Sequence, residues 1–150
     1  MGTEKTTDRQ LHLIRDKSEL DGTCYFEFFP GVYPGECWNE TSVYLCFSTL
    51  NMIEKVFETH VEEYDPYKFI EIQEPITSRL SGALIEHAEK LRNQALADSR
   101  ALPESADFDS PEQARLREWL PNKKILAQTC EDLANWLLSN KSGPISILGI

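Results

Sequence analysis

No stretch of this sequence approaches the ~20 consecutive apolar residues that a membrane-spanning helix needs. Its opening, MGTEKTTDRQ, has no apolar run of the kind a secretory leader requires, so export is not expected. Histidine is sparse: His12, His60 and His87 are the only three, and no two stand four apart, which excludes the helical histidine pair of a zinc site. The four cysteines, Cys24, Cys37, Cys46 and Cys130, fit neither a zinc nor a redox spacing. Without an export signal they read as reduced thiols of a cytoplasmic protein. No phosphate-binding glycine loop, nucleophile triad or calcium loop is present. No cofactor and no metal are therefore expected, and the chain does not read as an enzyme.

Positive charge is also short, and unevenly so. Fifteen Lys/Arg stand against 25 Asp/Glu, a net charge of −10. Residues 1–76 carry six basic and fifteen acidic side chains, whereas residues 77–150 carry nine and ten. Acidity concentrated in this way repels nucleic acid and anionic lipid and attracts a basic partner.

What is present is an ordinary globular composition, 41% hydrophobic and 27% charged. A chain of 150 residues buries a core without disulfide or metal support, so one globular domain is expected, with residues 1–9 flexible. The alternation in residues 10–15 predicts a first strand and Asp21-Gly22 a turn. The aromatic run of residues 23–29 and the run of residues 41–47 predict a hairpin. Between them lies a Pro/Gly-rich insert, residues 30–40.

Ser48 is a good N-cap, and Leu50, Ile53, Phe57, Val61 and Tyr64 follow at helical steps, predicting a helix that ends at Asp65-Pro66. Residues 67–73 alternate and predict a fourth strand. A long helix is expected from Thr77 or Ser78 to near Asp98, followed by a polar linker. Ser110-Pro111-Glu112-Gln113 starts another, which is expected to stop at Pro121. Residues 122–128 fit strand or helix alike, and residues 129–132 resemble a fresh capping box before a last helix to Asn140. The tail, ISILGI, is apolar and is expected to dock as a strand or pack on the core. Strands mostly first and helices after predict an α+β fold: an antiparallel sheet of about four to five strands, packed on one face by three to four helices.

Cys130, placed in the first turn of a helix, would have a lowered pKa, and Cys37 lies in the insert. A small cysteine-dependent enzyme would need one of these thiols beside a histidine. A homo-oligomeric structural or adaptor protein, dimerising through the C-terminal strand, is a third possibility. A binding surface is the better reading. The insert offers Val32, Tyr33 and Trp38, with Glu36 and Glu40 among them, and tyrosine and tryptophan are frequent anchors of interfaces. Glu54, Glu58 and Glu62 form a ridge on the predicted helix, joined by Glu63 and Asp65. Acids in the last turn oppose the helix dipole, so local stability argues mildly against the arrangement. If insert and ridge meet in space, they make a surface suited to a basic protein.

A small, acidic α+β protein with these features resembles, in general character, the bacterial immunity proteins of contact-dependent inhibition and other polymorphic-toxin systems. The resemblance implies a tightly bound cognate toxin, often a basic nuclease, whose active site is blocked or whose substrate is excluded. Immunity proteins have many unrelated folds, so the fold class does not test it.

Overall fold

The computed structural model describes residues 11–22 and 24–149. The expected flexibility of residues 1–9 and the start of the first predicted strand lie outside them. Among the described residues four strands are present: β1 Tyr25–Phe29, β2 Val43–Cys46, β3 Phe69–Ile72 and β4 Ile145–Gly149. Three α-helices accompany them: α1 Phe47–His60, α2 Ile76–Ala101 and α3 Pro111–Ser139. The sheet is antiparallel throughout, in the order β2-β1-β4-β3. The apolar tail is thus the strand that joins the hairpin to β3, with Phe28 opposite Ile147 on one side and Ile70 opposite Ile147 on the other.

Strand alternation gives the sheet two unlike faces. Phe26, Phe28, Val43, Leu45, Ile72 and Ile147 belong to the main core with the buried sides of the helices. Residues of the opposite parity, Glu27, Tyr44, Ser146 and Leu148, are equally buried but belong to no helix-packed cluster. The insert covers them. Ser146 donates to the Gly31 carbonyl, Tyr33 packs on Phe69 and Trp38 stacks on Tyr44. One sheet face therefore carries helices, and the other carries a loop of Pro, Gly and aromatics.

Three expectations need correction. The first predicted strand is reduced, among the described residues, to one bridge in which Ile14 and Tyr44 exchange both backbone hydrogen bonds (2.9 and 2.8 Å) along the outer edge of β2. Next, α1 begins at Phe47, so Ser48 lies inside it, and it ends at His60 rather than near Asp65. Glu63 adopts φ +63° and turns the chain away. Val61 is still buried and Tyr64 still packs on Phe57 at 5.9 Å between ring centres, so the apolar spacing outlives the helix by one turn. The acids expected to oppose the dipole lie beyond the helix.

Last, α3 runs unbroken through Pro121 to Ser139. A proline inside a helix removes one hydrogen bond and crowds the carbonyl four residues earlier. Pro121 sits on an exposed stretch of the helix, where water can satisfy the freed carbonyl, and none of residues 111–125 is fully buried. The capping box at Ser110 and Gln113 is formed as read. Residues 129–132 are helix interior, fixed by burial of Leu126, Cys130, Leu133 and Leu137 at helical spacing.

Helices α2 and α3 form a long hairpin whose base is part of the core and whose far end projects from it. Ser81 donates to the Ala134 carbonyl at the base (2.7 Å). Farther out, Lys123 pairs with Asp98 (2.5 Å) and Arg117 holds Asp109 bidentately (2.7 and 3.0 Å) while also donating to the Pro103 carbonyl.

Candidate functional site

The insert is organised by a residue that the sequence reading passed over. Glu27 lies at the centre of β1 with no exposed surface. Its carboxylate accepts from the Trp38 N–H (2.6 Å), the Asn39 N–H (3.0 Å), the Asn39 side-chain amide (2.8 Å) and the Ser42 hydroxyl (2.5 Å). A buried carboxylate is costly unless its oxygens are satisfied, and here both are, by the returning limb of the insert. Trp38 is held at φ +67°, a backbone region that bulky residues rarely enter. Its N–H bond to Glu27 and its ring stack on Tyr44 (6.0 Å) sustain it there. The Tyr44 hydroxyl donates to the Asn39 carbonyl, and burial, with Glu27 beside it, pushes the Tyr44 pKa up to about 12. The signal in the sequence was a lone acid in the middle of YFEFF, where a strand buried on both faces would tolerate it only with partners.

Trp38 therefore stands half-buried over β2 and β1, edge-on to Tyr25 (6.2 Å). Glu40, exposed, pairs loosely with Lys17 at 3.8 Å on the same side of the molecule. Tyr33 is placed elsewhere. Its ring meets Phe69 of β3 at 4.9 Å, edge-on, and remains partly exposed, and Glu36 is exposed in the same limb of the insert. Partial burial, then Cys37, Glu27 and Glu36, raise the Tyr33 phenol above its ordinary range.

The acids of the helix form a third group. Glu54, Glu58 and Asp65 all act on the phenol of Tyr64, whose pKa is raised by burial first and by these carboxylates after it. Glu62 and Glu63 are exposed in the turn that follows α1. The helix itself is not uniformly acidic. Lys55 and His60 on α1 face His87 and Lys90 on α2 across a groove of about 290 Å³. Burial and Lys90 lower the His87 pKa.

The predicted set is thus divided. Insert and α1 lie against opposite faces of the sheet and do not form one continuous patch. Tyr33 and Glu36 approach β3 from one face. The acid-bearing turn, residues 61–68, delivers the chain into β3 from the other. Its seat is tight, for a Cβ on Gly149 would collide with the Pro66 carbonyl oxygen. Trp38 and Glu40 belong to the far side, over β1 and β2.

Two aromatics at β3 were missed. Tyr67 is 80% exposed and leans toward Phe47 (6.4 Å) on the helical side, whereas Phe69 is 47% exposed on the insert side. The alternation of YKFIEIQ carried the signal, since Ile70 and Ile72 on the core face leave Phe69 where a polar residue would be ordinary. Among the described residues the outer edge of β3 has no backbone partner.

The thiols fit a nucleophilic site poorly. Cys130 lies mid-helix, fully buried, and burial pushes its pKa up to about 12, the reverse of the expectation for a helix start. Cys37 is raised by burial and by Glu27, and its hydrogen-bond neighbour is Tyr33 rather than a histidine. Both edges of β4 are bonded within the chain, so dimerisation through that strand would require opening the sheet. Among the described residues no cluster of acids, cysteines and histidines is arranged to hold a metal. Comparison with protein families, with characterised proteins and with solved structures finds no match to this chain.

Proposed function

We propose that this protein binds and neutralises a basic protein partner without catalysing a reaction, and that in its sharpest form it is an immunity protein for a cognate toxin, most directly a nuclease domain. One observation carries the reading. Of the eight large apolar side chains exposed among the described residues, four (Val32, Tyr33, Tyr67 and Phe69) belong to β3, its lead-in and the limb of the insert that reaches it. Residues 62–74 add Glu62, Glu63, Asp65, Glu71 and Glu74 against Lys68 alone. Aromatic anchors rimmed by one sign of charge favour fast, salt-sensitive capture of an oppositely charged protein.

The test uses the basic domain of a toxin encoded beside the gene for this chain. Glu58→Lys with Glu62→Lys, both exposed, slows association about tenfold at low salt and flattens its salt dependence. Tyr33→Ala speeds dissociation instead. Wild-type rates for both variants at every ionic strength would sink this reading.

A further inference from the structure

The sheet has two outer strands, and among the described residues only one has a partner on its outer edge. The outer edge of β2 is bonded to Ile14 in both directions. Among the described residues, the outer edge of β3 has no backbone partner for the N–H and C=O groups that alternate residues direct outward. An edge of this kind is a template for another strand, and natural sheets cover, charge or shorten it. β3 is short, but what surrounds it is aromatic and acidic.

We propose that the free edge of β3 receives an extended segment of the partner as a fifth strand, and that this segment alternates basic with aliphatic residues. The inference rests on reading this surface as a protein-binding one, and it names the partner's chemistry and mode. Side chains of an added strand alternate between faces in step with β3. On the insert side they meet Phe69, with Tyr33 packed upon it, and Glu71. Two aromatic faces beside a carboxylate suit an arginine or lysine. On the helical side they meet half-buried Ile70, which suits a valine or isoleucine. Charge selects this occupant over a second copy of the chain, because pairing two copies would bring two acidic surfaces of the same kind together on molecules of net charge −10.

The probe is an acetylated, amidated octapeptide of alternating Arg and Val, titrated calorimetrically into the full chain. Two isomers are compared with it, one N-methylated at every Arg and one at every Val. A strand bonded along one edge directs the N–H groups of alternate residues to its partner, so one isomer keeps those groups and the other loses them. The unmethylated peptide and one isomer bind, and the second isomer is weaker by about tenfold or more. Amide exchange slows at residues 68–72 and is unchanged at residues 43–46. Equal affinities of the two isomers, high or low, overturn strand addition. So does failure of the peptide to bind. In both cases the salt and charge-reversal measurements on the basic toxin domain decide the broader reading independently. A concentration-dependent dimer in which β3 is protected without peptide assigns the edge to a second copy and also overturns the proposal.

Discussion

β2 and β3 are both four-residue outer strands of one antiparallel sheet, yet their surroundings differ in every respect that matters for binding. β2 carries Ile14 on its free edge and Trp38 over its Tyr44, and the limb that places Trp38 is pinned by the buried carboxylate of Glu27. Among the described residues β3 carries no strand on its outer edge, and the aromatics Tyr67 and Phe69 face solvent. On the β2 side the Ile14 bridge occupies the edge and a polar network pins the loop over the adjoining face, whereas the β3 edge is bounded by groups that a partner could use. Exposure alone would not separate them from the tip of the α2–α3 hairpin, where Phe108 is 95% exposed. There the charge is mixed, and an Arg117–Asp109 pair holds the loop, so nothing points to a particular occupant.

The sharpest way to break the contrast is to remove what finishes the β2 side. Glu27→Ala leaves the donors of Trp38, Asn39 and Ser42 without their acceptor in a buried setting and is expected to cost about 3 kcal/mol, read by chemical denaturation. Trp38 should then become mobile, with its fluorescence red-shifted, while β3 exchange is unchanged. Opening the β2 edge itself has a smaller effect. Ile14→Pro removes the donor to the Tyr44 carbonyl and part of a buried side chain, for an expected loss of about 2 kcal/mol. Amides of β2 should then exchange faster, which would show that the bridge, and not the insert, closes that edge. Least costly to the fold is Phe69→Ala. The side chain is half-exposed, so stability should fall by less than about 1 kcal/mol, while affinity for the arginine–valine peptide drops. A large loss of stability here would instead make Phe69 a structural residue and erase the difference between the edges.

Much of this architecture was legible in the sequence. The hairpin, β3, α2, the Ser110 cap and the docking of the apolar tail follow from alternation, helical spacing and capping chemistry, all of which are local. What was not legible is what depends on distant partners. The end of α1 was hidden because Val61 and Tyr64 keep helical spacing after the helix has stopped. Pro121 read as a terminus because tolerance of a mid-helix proline depends on exposure, which a sequence does not display. The candidate site was seen in pieces. Tyr33 and the acids stand out in the sequence, but their distribution over two faces is fixed by Glu27 and by a strand order that places β4 between β1 and β3. Phe69, the residue that links them, was counted as strand and not as surface.

That strand order also has a consequence for biosynthesis. The strand joining the hairpin to β3 is the last of the four in chain order, so during synthesis β3 emerges with no path across the sheet to the β1–β2 hairpin. Until residues 145–149 leave the ribosome, β3 has no strand to pair with on either edge among the described residues. The acidity concentrated in residues 1–76, which precede β4 in the chain, opposes self-association through that interval.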